Sequence, residues 1–244
     1  MAKSELIYAL KPEEWCADIL GFTPDAWQTT FLRTNTNMAT MTSRQAGKST
    51  ICAAKVLHTA LYNPGTQSAI CSPTLRQSQL MSSTINGFIK HMKPSDAPKL
   101  LTDSQSMMRF ENGSIIYSLP GSDAASLRGY AISGIVCIDE CFFFDDAAWV
   151  AVAPMVAVAG GKVLAMGTPA GPFGWAYDLW QSQPKGWQFI KVPADEVARI
   201  TPEYLVETRE RMTLAQFRSE FYCEFGNTQS SLWATEDILR CFGE

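Results

Sequence analysis

Thirteen consecutive residues, Met38-Ala39-Thr40-Met41-Thr42-Ser43-Arg44-Gln45-Ala46-Gly47-Lys48-Ser49-Thr50, restrict this chain to few folds. Residues 38–41 read as a buried strand, 42–47 as a tight loop, and Lys48-Ser49-Thr50 as the opening of a helix that continues small and apolar through Ile51, Ala54, Val56 and Leu61. Strand, loop and helix start in succession bring backbone N–H groups and the positive end of a helix dipole to one point, which suits an anion. Gly47 permits close backbone approach, Lys48 can reach the β- and γ-phosphates of a nucleotide, and the Ser49 hydroxyl can face Mg²⁺. The pattern G-x-x-x-x-G-K-[ST] lacks its first glycine, because position 42 is Thr. Gly-Lys-Ser alone also occurs in strand–turn–helix units that bind nothing, so the flanking strand and helix carry the reading.

A second signal lies ninety residues on. Ser133-Gly134-Ile135-Val136-Cys137-Ile138-Asp139-Glu140 reads as a fully buried strand that delivers two adjacent carboxylates at its C-terminal end. In an open α/β sheet that edge is where ligands bind. Asp139 is expected to share the Mg²⁺ shell with Ser49, and Glu140 to orient and deprotonate an attacking water. A third strand, residues 161–167, runs into Gly167-Thr168-Pro169. It would place the Thr168 hydroxyl beside the Lys48 loop, where it can sense a γ-phosphate; a plain strand-end turn would use the same residues. The expected fold is α/β: a P-loop NTPase of the ASCE/RecA-like kind, with a mostly parallel central sheet flanked by helices and a small C-terminal helical lid.

The rest of the chain divides around these motifs. Residues 1–21 read as a helical lead-in, with Pro12 and two glutamates in the first turn of a helix from Lys11. Residues 22–195 form the core, 196–230 a lid of two helices, and 231–244 the start of a linker. Within the core, Asn112-Gly113 between apolar runs predicts a hairpin, and residues 95–106 read as a polar loop. Asp145 or Asp146 caps a helix carrying Trp149 and Val152. Trp27-Gln28 sits on a short helix twenty residues before Lys48; a glutamine amide matches the N6/N7 edge of adenine, although a Gln beside a core Trp needs no ligand.

Seven cysteines in irregular spacing, with only two histidines, predict buried reduced thiols and no zinc set. A net charge of −4 excludes a whole-surface basic field, so any DNA contact must be a local patch or lie on another domain. No apolar run reaches the length of a membrane span.

With these pieces placed, the chain resembles the ATPase domain of the large terminase subunit of tailed double-stranded DNA bacteriophages. The resemblance runs from about Phe22 to Phe225. It rests on Trp27-Gln28, on Ser43-Arg44-Gln45-Ala46-Gly47-Lys48-Ser49 as that family's loop without the first glycine, on 135–140, on Gly167-Thr168-Pro169, and on Phe217-Arg218-Ser219-Glu220-Phe221-Tyr222-Cys223-Glu224-Phe225 as the junction after the lid. It implies ATP and Mg²⁺ as ligands and hydrolysis that drives double-stranded DNA into a procapsid. It also implies a homo-oligomeric ring, with a portal protein and a small terminase subunit as partners, working in the host cytoplasm at the portal. Trp27, Gln28 and residues 43–50 (Thr50 included) become nucleotide contacts. Glu140 and Thr168 become catalytic, as do Arg44 within its own subunit and Arg128, which matches a finger reaching into a neighbour; the sequence does not choose between the two arginines. The family's nuclease domain follows this junction, and residues 230–244 carry no carboxylate cluster, so no DNA cleavage is expected of this chain. Two other readings are a helicase-like DNA-dependent ATPase, which would need a second RecA-like domain, and a nucleotide-gated ring-assembly module with weak hydrolysis.

Overall fold

A computed structural model describes residues 3–226. Eight strands form one sheet: β1 (Asn37–Thr42), β2 (Gln67–Ser72), β3 (Leu100–Asp103), β4 (Met107–Phe110), β5 (Ile115–Pro120), β6 (Ile135–Ile138), β7 (Lys162–Gly167) and β8 (Trp187–Val192). Their order is β3-β4-β5-β2-β6-β7-β1-β8. The six strands from β5 to β8 are parallel, and β3 and β4 extend the β5 edge as antiparallel neighbours. The strand that enters the glycine-lysine loop, β1, is separated from the strand that ends in paired acids, β6, by β7 alone. Because all three run parallel, their C-terminal ends open on one edge of the sheet.

Nine helices are described: α1 (Lys3–Leu10), α2 (Pro12–Trp15), α3 (Ala26–Arg33), α4 (Lys48–Tyr62), α5 (Leu75–His91), α6 (Asp146–Ala157), α7 (Trp175–Ser182), α8 (Pro202–Glu210) and α9 (Leu214–Tyr222). They cover both faces of the sheet, and the strand residues alternate between the two layers, as the period of two demands. Ile135 and Cys137 of β6, with Leu164 and Met166 of β7, pack into the layer containing α3, α4 and α9. Val136, Ile138, Val163 and Ala165 pack into the layer of α6 and α7.

Helix α4 is buried on nearly every side from Ile51 to Ala60, so it must be held by its neighbours. Its Lys55 does so by donating to the carbonyls of Leu32 (2.6 Å) and Thr34 (2.8 Å) at the end of α3. Such carbonyls lack partners within their own helix, and a cation there also meets the negative end of the dipole. Burial lowers the Lys55 pKa to about 8.

The lead-in is helical, with Pro12 opening a helix as read: α1 ends at Leu10, α2 follows, and a π turn at Cys16–Leu20 ends at Gly21. The structure departs from the sequence reading elsewhere. The segment read as a polar loop contains β3, whose residues alternate half-buried and exposed. An edge strand draws its hydrogen bonds from one neighbour and needs no continuous apolar face, which leaves little trace in the sequence. Cys52 of α4 and Cys137 of β6 bring their sulfurs together in the core, with Cα atoms 7.0 Å apart, beyond the usual span of a disulfide. Cys16, Cys71, Cys141 and Cys223 are free and buried, and burial pushes the thiols of Cys16 and Cys71 up to about 12.

The Asn112-Gly113 hairpin joins β4 to β5, and Asp145 caps α6 by accepting from the Ala147 amide. Residues 227–244, including the proposed linker and the end of the proposed lid, lie outside the described residues. Among those described, no helix is long and apolar enough to cross a membrane.

Candidate active site

A cleft of about 610 Å³ opens at the C-terminal edge of β1, β6 and β7. Its floor is the loop from Arg44 to Gly47 and the first turn of α4, including Ser49 and Thr50. Gly47 adopts φ +87, and a Cβ built there would come within 2.8 Å of Gln28 Nε2. The backbone conformation thus favours glycine, and a side chain there would crowd the Gln28 amide. Lys48 follows at the start of α4, with 8% of its surface exposed. Its Nζ donates to Thr168 Oγ1 at 2.7 Å and lies 3.7 Å from Glu140 Oε1. Residues that follow β7 and β6 therefore converge on the ammonium of a lysine that follows β1.

The two acids after β6 occupy different environments. Glu140 has φ +51, a left-handed conformation that costs a non-glycine residue about 1 kcal/mol. That turn breaks the strand direction, and the carboxylate lines the cleft at the lysine. Asp139 is buried, and its Oδ1 has no hydrogen-bond partner. Burial, reinforced by the Glu140 charge and opposed by Lys48, raises its pKa to about 6. Asp139 and Ser49 share a smaller adjoining cavity of about 200 Å³, together with Gln77 and Glu140. An orphaned carboxylate oxygen beside a serine hydroxyl is a hard-oxygen donor set that fits Mg²⁺. Among the described residues no group of three or more His, Cys, Asp or Glu could cage a metal, so phosphate and water oxygens would complete the shell.

A raised carboxyl pKa has a definite consequence for stability. The folded state holds the Asp139 proton more tightly than the unfolded chain, so ionisation destabilises the fold as pH rises from about 4 to about 6. In EDTA at pH 7.5, Asp139→Asn is expected to raise the thermal midpoint by roughly 3 °C. The same variant should lose the stabilisation that Mg²⁺ with ATP confers on the wild type. A lower midpoint in EDTA, combined with undiminished stabilisation by Mg²⁺-ATP, would contradict this account of Asp139.

Not every residue singled out in the sequence faces the cleft. Ser43 is fully buried, its hydroxyl has no partner, and its amide donates to the Val192 carbonyl at 2.9 Å, extending the β1–β8 pairing. Trp27 is part of the core. Gln28 is 3% exposed and has both amide atoms engaged. Its Oε1 accepts from the Asp25 amide (2.9 Å) as half of a capping box, and its Nε2 donates to the Ala46 carbonyl (3.4 Å). Gln28 thus braces the loop from behind. Gln45 Nε2 reaches the Tyr204 hydroxyl at 3.0 Å. Arg44 projects into the cleft with its guanidinium paired to Glu220. Arg128 is exposed on the β5–β6 connection, anchored by buried Leu127, and does not line the cleft of its own chain.

Sequence reasoning missed several residues that the fold brings here. Glu220 and Phe143 line the cleft, and Arg199 pairs with Asp25 while donating to the Ala46 carbonyl at 3.3 Å. No local pattern could have tied Glu220 to Arg44 across 176 residues. The one available signal was an acid between the buried Phe217 and Phe221, where an unpaired charge is costly.

The comparisons with known proteins agree with this architecture. No curated protein matches the chain by sequence. Among solved structures, the large terminase ATPase domain of Thermus phage P74-26 superposes with a TM-score of 0.76 at 19% identity, covering 88% of this chain and 99% of that one. The HK97 bacteriophage large terminase gives 0.69 at 14% identity, covering 92% of this chain and 56% of that one. The large terminase of a thermophilic bacteriophage in complex with ADP gives 0.67 at 13% identity, covering 92% and 53%. The chain thus spans about half the length of the last two. At these identities the likeness establishes the fold: a RecA-like sheet of terminase ATPase type. The family model described as terminase large subunit, T4likevirus-type, N-terminal, matches residues 39–240, and the chain belongs to that family.

Proposed function

We propose that this chain is the ATPase of a DNA-packaging motor: it hydrolyses ATP and uses the energy to move double-stranded viral DNA into a procapsid. The observation that carries the ATPase reading is the convergence of Lys48, Thr168 and Glu140 on one cleft at a helix N-terminus, with Asp139 and Ser49 sharing the adjoining cavity. The related terminase solved with ADP supports a nucleotide as the occupant.

In this reading the backbone N–H groups of residues 44–49 and the α4 dipole hold the phosphates, and Lys48 neutralises charge on the β- and γ-oxygens. Ser49 and Asp139 would hold Mg²⁺, which supplies further charge neutralisation on those oxygens when bound. Glu140 orients a water in line with the γ-phosphorus and takes its proton as the new P–O bond forms and the bond to the leaving ADP oxygen breaks. Thr168, bonded to Lys48, senses departure of the γ-phosphate and passes it to the loop that follows β7. Arg44 contacts the phosphates in cis. Arg128, which is exposed and does not line its own cleft, acts as the finger that enters the cleft of a neighbour, with a homo-oligomeric ring as the working unit. Residues 196–230 act as a lid. Translocation, with a portal protein and a small terminase subunit as partners at the procapsid in the host cytoplasm, is drawn from the family.

Steady-state hydrolysis tests the enzymatic part. Lys48→Ala is expected to lower turnover at least about 100-fold, because a preorganised charge at the transferring phosphoryl group is lost. Turnover unchanged in that variant would remove this cleft from the reaction.

A further inference from the structure

The carbonyl of Ala46, next to the glycine of the phosphate loop, accepts from two side chains. Gln28 Nε2 donates to it at 3.4 Å and Arg199 Nη1 at 3.3 Å. Both bonds are long for N–H···O, so one alone is a weak brace, and the pair together defines where the oxygen points. Among the described residues every peptide bond is trans. In a trans peptide the carbonyl and the N–H that follows it point in opposite directions. Turning the Ala46 oxygen back toward Gln28 and Arg199 therefore turns the Gly47 N–H away from them, toward the cleft that Gly47 lines. A cation on the oxygen also polarises the peptide, which strengthens its N–H as a donor.

Arg199 is held for this contact from both ends. It sits in the turn between β8 and α8, where Val197 and Ile200 are buried in the main core and the Ile200 amide donates to the Val197 carbonyl at 2.8 Å. Its guanidinium is gripped by Asp25: Nη1 donates to Oδ2 at 2.9 Å, and Nη2 donates to the same oxygen. Asp25 is also the N-cap of α3, and its amide donates to Gln28 Oε1. One residue thus fixes both donors that reach Ala46. The Arg199–Asp25 pair is partly solvated, with 41% and 29% of the side chains exposed, and a pair so placed adds little to stability.

We propose that Arg199 is a positioning residue for nucleotide binding: with Asp25 as its anchor, it holds the Ala46–Gly47 peptide so that the Gly47 amide faces the phosphates. The inference rests on the ATPase reading above and deepens it. Backbone amides of such a loop cradle the α- and β-phosphates, which ADP and ATP share. The contact is therefore made in the ground state and the transition state alike, and its loss should appear in binding rather than in the chemical step.

The test uses the full chain with Mg²⁺, measuring the Kd of ADP and of ATP-γ-S, kcat and KM for ATP, and the thermal midpoint without nucleotide. In Arg199→Met both Kd values and KM should rise about tenfold, with kcat within about twofold of wild type and the midpoint within about 2 °C. Arg199→Lys keeps the cation but replaces the fork by one donor head, so it should recover part of the binding. Asp25→Asn keeps a good N-cap and removes the counter-charge; its Kd values should rise about threefold. Combined with Arg199→Met it should add nothing further, because both changes break one unit.

Kd values within about twofold of wild type in Arg199→Met would overturn the proposal, as would a fall in kcat with Kd unchanged or losses that multiply in the double variant. A lowered midpoint with equal loss of binding in Arg199→Met and Arg199→Lys would mark a merely structural role and overturn it too. Lys48→Ala is run in parallel. If it binds and turns over like wild type, the ATPase reading itself fails; if it is impaired while Arg199→Met binds normally, only the role of Arg199 fails.

Discussion

Arg128→Ala is expected to lower ATP turnover by about 10³-fold under conditions where the wild type is assembled, the scale on which arginine fingers act in phosphoryl transfer. The expectation rests on the proposal that Arg128 is a finger entering a neighbouring cleft. Arg128 is exposed, its neighbour Leu127 is buried, and the cleft of its own chain is lined by other residues. Two consequences are measurable. Wild-type specific activity should rise steeply with protein concentration, as each cleft gains its missing charge. Mixing Arg128→Ala with Glu140→Gln should restore activity that neither variant has alone, because an Arg128→Ala cleft beside a Glu140→Gln neighbour has both an intact glutamate and an intact arginine. Specific activity that is flat with concentration, together with no recovery on mixing, would leave Arg44 as the acting arginine and the single chain as the catalytic unit.

Glu140→Gln should separate binding from chemistry. Removing a general base costs about 10²- to 10⁴-fold in kcat, whereas ATP-γ-S should bind within about threefold of wild type, or more tightly once a negative charge near the phosphates is gone. Placement and strain both point to this residue. It sits 3.7 Å from the Lys48 ammonium, and it holds a left-handed backbone conformation that the end of a strand does not require of a glutamate. The neighbouring Asp139 cannot substitute, because it is buried in the adjoining cavity with Ser49. Single-turnover hydrolysis alongside equilibrium binding distinguishes the cases. Loss of binding in Glu140→Gln would recast the residue as a structural partner of Lys48, and full turnover would exclude it from proton transfer.

The parts of the site that follow from local chemistry were legible in the sequence. Gly-Lys-Ser at a strand–helix junction, a β-branched run ending in Asp-Glu and a third strand ending in Gly-Thr-Pro each carry their own geometry, and parallel strands bring such ends to a common edge. The parts that depend on distant segments were not legible. The Gln28 amide could be matched to a nucleobase by its donor and acceptor, yet in the fold one atom caps its own helix at Asp25 and the other braces Ala46. Glu220 and Arg199 reach the phosphate loop from beyond β8, and no spacing rule links them to it. Strand β3 was hidden for a different reason: an edge strand four residues long, exposed at alternate positions, has almost no apolar pattern to read.

The most direct measurement is a structure of this chain with Mg²⁺ and a non-hydrolysable ATP analogue. The account predicts the terminal phosphate within hydrogen-bond distance of Lys48 Nζ, the metal between Ser49 Oγ and Asp139, and a water between Glu140 and the γ-phosphorus. A nucleotide bound elsewhere, or one whose phosphates point away from Lys48 with Asp139 unengaged, would contradict it.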